Sequence, residues 1–311
     1  MKQVTNTILM IRPVKFRMNE ETAVNNYYQE DTGIQQQDAN AQAQQEFDTF
    51  VTKLKAAGIG VIVIDDDPAN DTPDSVFPNN WISFHENGDI GLYPMFAENR
   101  RRERRPEVME LIESNGFEIK NVVDYTEAET EELFLEGTGS LVLDRANRKA
   151  YCALSPRADE ELLIEFCEDF EFTPVIFTAY QTVDQERLPI YHTNVMMSVA
   201  ETFAIVCLDC VDDKKEKKSL VKHLKEDGKE IISITEDQVN QFAGNMLQVV
   251  GKEDKRFLIM SSAAYESLTK AQILSIEKHC EILHSGLETI ETLGGGSARC
   301  MMAEVFLPHV S

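Results

Sequence analysis

Close to the end of the chain, GGGSARC leads three glycines, a serine, an alanine and an arginine into a single thiol, Cys300. A thiolate is a strong nucleophile, but an ordinary thiol is only a few per cent ionised near neutral pH, so a reactive cysteine needs partners. Three other stretches hold residue types that could serve: LEGTGS with Glu136, YHTN with His192 and Asn194, and FPNNW with Asn79 and Asn80. An imidazolium beside the sulfur would stabilise the thiolate, and the same ring could hand a proton to a leaving group. A carboxylate would balance the local cation and accept N–H donors. Singly, each has a plainer meaning. A histidine at a strand start is usually structural, a cysteine usually packs as a small hydrophobe, and Glu136 could be a solvated turn residue. What joins them is their spacing.

Strand-like and helix-like stretches alternate along the chain, as in an α/β fold. ILMIRP reads as a strand, and QQDANAQAQQEFDTFVTKLKAAGIG as a helix with Phe47, Phe50, Val51 and Leu54 on one face and Gly58 as its stop. After VIVID, SVFPNNWISFHENGDIGLYPM reads as two strands about an Asn-Gly turn, followed by a charged helix, AENRRRERRPEVMELIESNG. The hairpin-then-helix order returns three times: GTGSLVLDRANRKAYCALSP, HTNVMMSVAETFAIVCLDCV and GNMLQVVGKEDKRFLIMSS each precede a helical stretch. The starts near Asn80, Gly139, Thr193, Asn245 and Ser297 are roughly 50 to 60 residues apart, the mark of an internal repeat. A fifth repeat would be completed by the N-terminal strand, closing a ring with no exposed sheet edge. One domain over residues 1–311 is expected, with the repeat starts converging at one end of its axis. Nucleophile, base and carboxylate would then face one another, and the thiol would lie at the chain's end because the ring closes there.

Composition narrows the class. At 42% hydrophobic residues the chain can bury a large core. No apolar run approaches the ~18 residues of a membrane span, and MKQVTNTILMIRPVKF lacks the long apolar stretch and cleavage site of a signal peptide. Six scattered cysteines suit a reducing cytosol better than a disulfide framework. A formal net charge of −24 argues against nucleic acid and anionic membrane as partners. A cytoplasmic protein with a small-molecule partner is expected, and homo-oligomerisation is left open. CLDC sets Cys207 and Cys210 at redox or zinc spacing, yet no second pair follows and a continuous strand would turn them to opposite faces. GGGS lacks the Gly-Lys-Ser/Thr ending of a phosphate loop. Neither a metal nor a cofactor is expected.

LEGTGS, HTNVMM and GGGSARCMMAE together resemble the amidinotransferase-like superfamily, the five-bladed α/β-propeller enzymes that act on guanidino groups. The resemblance covers essentially the whole chain. DSVFPNNW, LEGTGS and SARCMMAE bring it nearest to the branch associated with citrulline utilisation. It implies a propeller of five pseudo-symmetric repeats, with Cys300 as nucleophile, His192 as general acid–base and Glu136 as the site carboxylate. Arg157, in LSPRAD, resembles the arginine that contacts the substrate α-carboxylate in related deiminases. Arg101, within NRRRERR, is the second candidate for that anion, which a planar guanidinium suits. A resonance-stabilised guanidino or ureido carbon is a poor electrophile, and a thiolate answers that.

The departures from the resemblance carry information. Arginine deiminases have an arginine-aspartate pair where this chain has Asn79 and Asn80, and histidine-x-aspartate where it has HTN with Asn194. A guanidinium offers donors only and favours carboxylates, whereas a ureido group has a carbonyl that an Asn N–H can serve. A neutral ureido amino acid is therefore expected, citrulline above all, converted to ornithine, ammonia and carbon dioxide. Two alternatives stand beside it. One is a deiminase or amidinotransferase on arginine, agmatine or dimethylarginine, and the other a catalytically silent propeller that binds an amino acid.

Overall fold

The computed structural model describes residues 1–310. Among them the strands form five three-stranded sheets and one separate hairpin. Every three-stranded sheet has the same order, an antiparallel pair followed by a parallel one. Each parallel step crosses through helix, since strands running the same way cannot be joined by a tight turn. The middle strands Lys149–Leu154, Phe203–Val206 and Arg256–Ser261 are apolar runs rather than alternations, because both of their faces are covered.

One sheet joins the two ends of the chain. Ala303–Glu304 pairs antiparallel with Thr7–Arg12, Ile8 opposite Glu304, and Thr7–Arg12 pairs parallel with Gly60–Asp65. The pairing of first and last strands is thus as expected. The helix Gln36–Ala56 buries Ala39, Ala43, Phe47, Phe50, Val51 and Leu54 in one cluster with Ile8 and Met10. Each such Phe or Leu contributes about 1.5–3 kcal/mol. Gly58, at φ +79°, ends the stretch in the left-handed region. Among the described residues no helix is long and apolar enough to cross a membrane.

Four local expectations change. The charged helix is broken: Glu98–Glu103 is a 3-10 helix, Arg105 is extended, and the α-helix starts at Pro106. Proline forces the residue before it out of helical geometry. The helical stretch after Arg256–Ser261 is likewise two pieces, Ser262–Ser267 and Lys270–Glu277, the second opened by a Thr269–Gln272 capping box. An unforeseen hairpin pairs Tyr180–Val183 with Glu186–Pro189 through Asp184 and Gln185, both at positive φ without the glycine that would have announced the turn. Lastly, the strand before CLDC stops at Val206. A 3-10 turn, Leu208–Cys210, then brings the buried Cys207 and Cys210 side chains within hydrogen-bonding reach instead of setting them on opposite faces.

The repeat starts are not strands but short buried turns just before them. Pro78–Asn80, Gly137–Ser140 and Thr193–Met196 are single helical turns, and residues 298–301 form another turn. A turn at a strand end can aim several side chains at one point, and these turns carry the candidate residues.

Candidate active site

A cavity of about 10 Å³ is lined by Cys300, His192, Asn80, Asp74, Arg100 and Arg157, with Tyr191, Phe77 and the glycine loop around them. A much roomier cavity, about 690 Å³, lies beside the N-terminal residues and holds no comparable set. Burial here is nearly complete, with Cys300 at 3% exposure and Glu136 at 0%.

His192 and Glu136 form the hydrogen-bonded core of the cluster. His192 Nε2 and Glu136 Oε2 are 2.8 Å apart, the Phe96 N–H donates to Glu136 Oε1 at 3.0 Å, and Arg157 Nη1 lies 3.5 Å from Oε2. Burial alone would raise the Glu136 carboxyl. Arg157, the His192 hydrogen bond and Arg100 outweigh it and hold the group down at about 2. Burial also lowers His192 to about 4, aided by Arg157 and Arg100 against the pull of Glu136. The imidazole is therefore neutral near pH 7. That differs from the imidazolium expected beside the thiolate, and the cause is burial first, with the two guanidiniums the fold brings in adding to it. With Nε2 taken by Glu136, Nδ1 is the edge left for proton exchange. It lies against Gly139, where a Cβ would sit 2.8 Å from Nδ1, so a side chain there would displace the ring.

The asparagines divide. Asn80 accepts a 2.9 Å hydrogen bond from Arg100 Nη1 on Oδ1, and its buried Nδ2 has no partner. Because a guanidinium only donates, this fixes the amide with its oxygen on Arg100 and its N–H group turned away from it, unpaired. Asn194 Nδ2 donates to the Thr138 carbonyl at 3.1 Å and lies 3.6 Å from Cys300 Sγ. Asn79 is not on the cavity wall. Its carbonyl accepts from Thr138 Oγ1 at 3.3 Å, and its side chain is buried without partners.

The arginines divide too. Arg157 donates to Asn25 Oδ1 and the Thr22 carbonyl, with Tyr191 flanking its guanidinium at 4.8 Å. Arg101 points elsewhere, donating to the Met95 carbonyl and pairing with Glu129 at 3.4 Å. Its neighbour Arg100 takes the cavity position. Three residues per turn put Arg100 and Glu103 on one face, where they form a two-point ion pair at 2.8 and 3.0 Å.

The segment at residues 19–30 covers the cavity. Asn26 donates to the Gly294 carbonyl at 3.3 Å, Gln29 to that of Leu293 at 3.0 Å, and the Glu30 N–H to that of Thr292 at 2.7 Å. The three glycines are needed for close packing. A Cβ on Gly294 or Gly296 would lie 2.9 Å from the Phe77 ring, and Gly295 sits at φ +61° under Asn26. Among the described residues no cluster of three or more His, Cys, Asp or Glu is placed to hold a metal ion.

A sequence model of the eukaryotic N,N dimethylarginine dimethylhydrolase family matches residues 12–307. The chain belongs to this family. Membership in the dimethylarginine dimethylhydrolase family agrees with the amidinotransferase-like resemblance of the motifs. No curated protein sequence matches the chain. Three solved structures share its mixed α/β fold. ArgZ, an arginine dihydrolase from the ornithine-ammonia cycle in cyanobacteria, has a TM-score of 0.74 at 17% identity, over 97% of this chain and 41% of that one. AgrE, in its ternary complex with ornithine and NAD+, has 0.74 at 18%, over 98% and 40%. A cysteine-to-serine mutant of DDAH from Pseudomonas aeruginosa, complexed with citrulline, has 0.65 at 13%, over 97% and 100%. The chain thus spans about two fifths of the length of ArgZ and AgrE.

Three residues at the site of this dimethylarginine dimethylhydrolase family member were not among the candidates. Asp74 has one oxygen held by Asn19 at 2.8 Å and Thr22 at 3.2 Å, and the other buried without a partner. Arg100 was hidden in a run of like residues. Asn245 donates to Cys300 Sγ at 3.2 Å, and its one signal was its place at the start of the fourth repeat.

Proposed function

We propose that the chain is a cysteine-dependent hydrolase of a non-peptide C–N bond, with a ureido amino acid, citrulline, as substrate. The observation that carries this is Asn80: Arg100 occupies its oxygen, leaving an N–H donor on the cavity wall where a carboxylate would suit a guanidinium. Further support comes from the balance of charge. Arg157, once residues 19–30 release it, is available to a substrate α-carboxylate, and the unpartnered Asp74 oxygen to its α-ammonium. The similar structures, an arginine dihydrolase and a DDAH holding citrulline, favour an amino acid of this class. The five sheets of like order support a five-bladed propeller formed as one domain over residues 1–311. The citrulline-utilisation branch is part of the same proposal.

In the proposed reaction the Cys300 proton passes to neutral His192 as sulfur bonds to the ureido carbon. The proton then moves to the δ-nitrogen, and ornithine leaves as the C–N bond breaks. Water adds to the carbamoyl thioester, the C–S bond breaks, and the carbamate falls apart to ammonia and carbon dioxide. Glu136 keeps its charge throughout and orients the imidazole, as its depressed ionisation allows. A cavity of about 10 Å³ is far below the roughly 300 Å³ at which ligand pockets begin, so residues 19–30 must swing out to admit substrate.

A second reading, hydrolysis of a guanidino compound, is favoured by the family description and the anionic Glu136. One experiment separates them. The protein is incubated with citrulline, arginine, agmatine and dimethylarginine, and ornithine, citrulline, ammonia and methylamines are measured. Ornithine and ammonia from citrulline alone support the ureido assignment. Citrulline and dimethylamine from dimethylarginine would replace it with the second.

A further inference from the structure

We propose that Asn245 stabilises negative charge on the Cys300 sulfur as its proton leaves and sets its direction, an inference that rests on Cys300 being the nucleophile. Asn245 is 1% exposed and sits in the turn before the strand Leu247–Val250. Its Nδ2 lies 3.2 Å from Cys300 Sγ, nearer than the 3.6 Å of Asn194, and also donates to the Asn194 carbonyl at 3.1 Å. Its Oδ1 accepts from the backbone N–H groups of Arg299 at 3.0 Å and Cys300 at 3.4 Å.

Those four contacts leave the amide one orientation. Flipped, it would set its NH₂ against two N–H donors and its oxygen against the sulfur. The backbone of the cysteine's own turn therefore aims an N–H at the thiol. A donor bonded to sulfur favours the charged form over the neutral one. The need is specific to this site, because His192 is buried and neutral near pH 7 and supplies no cation. Asn245 does there what an imidazolium would otherwise do. The turn is tightly braced: Gly244 has no room for a Cβ against the Val195 carbonyl, and Phe242 is at φ +59°.

The ionisable groups around the sulfur are His192, Arg157, Arg100, Asp74 and Tyr191, with Glu136 behind His192. On its own turn, Arg299 is directed away to Met302 and Glu304. None of these is altered by substitution at Asn245, so a wild-type comparison isolates it.

The test needs no substrate. The rate of iodoacetamide alkylation of Cys300, located by peptide mass spectrometry, is measured from pH 5 to 10 in wild type, Asn245→Asp and Asn245→Ala. Asn245→Asp keeps the acceptor for Arg299 and Cys300 but turns an anion on the sulfur. Its inflection should move up by at least about one pH unit, lowering the rate at pH 7 about tenfold. Asn245→Ala should move it in the same direction by less. Should Asn245→Asp fail to fold, the alanine variant alone decides the sign. An unmoved inflection in the folded variants, with or without lower thermal stability, would overturn the proposal and leave Asn245 a brace for the turn. Wild-type alkylation no faster at Cys300 than at the other five cysteines would instead sink the nucleophile assignment itself, so the two failures are distinguishable.

Discussion

Cys300, His192, Glu136 and Asn80 meet in a space almost closed to solvent, and their hydrogen bonds define what each can do. Cys300→Ser should abolish ammonia release while the far-ultraviolet circular dichroism spectrum and melting temperature stay near wild type, since a hydroxyl is far less ionised at neutral pH. Activity near normal in that variant would move the nucleophile elsewhere. Asn80→Asp is the sharper substitution. One oxygen of the new carboxylate still accepts from Arg100, while the other replaces the free N–H donor with an acceptor, which would repel the ureido oxygen of the proposed substrate. An unsatisfied, repulsive buried contact costs ~1–3 kcal/mol, and about 1.4 kcal/mol is a factor of ten in rate. Citrulline turnover should fall roughly tenfold or more, and arginine should bind more tightly than to wild type. Paired titrations on both proteins check this, and unchanged preference would return the guanidino reading to the lead.

At the scale of elements, the short turns before the strands matter more than the strands themselves. Gly137–Ser140 is pressed between two of them: a Cβ on Gly139 would collide with the Asn80 amide and come within 2.8 Å of His192 Nδ1. Gly139→Ala should therefore damage catalysis more than folding. The expected loss in kcat is at least tenfold, with a stability cost in the ~1–3 kcal/mol range typical of overpacking. Steady-state kinetics beside a thermal melt would show it, and a variant with normal kcat would mean that the turn yields without disturbing the site. The cover at residues 19–30 works at the same scale. Asn25 and Thr22 hold Arg157 while the cover is closed, so opening it frees that guanidinium for a substrate carboxylate.

For the whole molecule, buried charge makes stability depend on pH in a way that can be signed. His192 is lowered from 6.5 to about 4. Between those values the unfolded chain binds a proton that the folded protein refuses, so acid favours unfolding. Its contribution is complete above pH 6.5 and lost as pH falls through about 4, amounting to on the order of 3 kcal/mol. Glu136, lowered to about 2, adds a loss of the same sign at lower pH. Glu103 and Glu291 act oppositely, because burial pushes both up to about 7 and the folded protein gains from protonating them. Urea unfolding of wild type and His192→Gln from pH 7.5 to 4 isolates the histidine. The variant should lose less stability on acidification, and parallel curves would show that His192 is not held neutral in the fold.

Much of the fold was legible in local pattern. The helix face of Phe47, Phe50, Val51 and Leu54, the repeated hairpin-then-helix order, the meeting of first and last strands, and the residues Cys300, His192 and Glu136 all follow from period, turn chemistry and motif. Those signals act over a few residues, or repeat at a fixed interval, so a linear chain displays them. What only tertiary structure decided is which side chains share a buried space. Arg100 rather than Arg101 faces the cavity because a proline breaks the helix and leaves a three-residue turn. Asp74, the first residue of DSVFPNNW, and Asn245, from a repeat that otherwise offers no reactive group, join the site only through the fold. His192 is neutral because burial and two distant arginines outweigh the carboxylate beside it. Residue types are local, but desolvation and Coulomb interaction depend on distances between segments far apart in the chain, and those distances exist only after the sheets have packed.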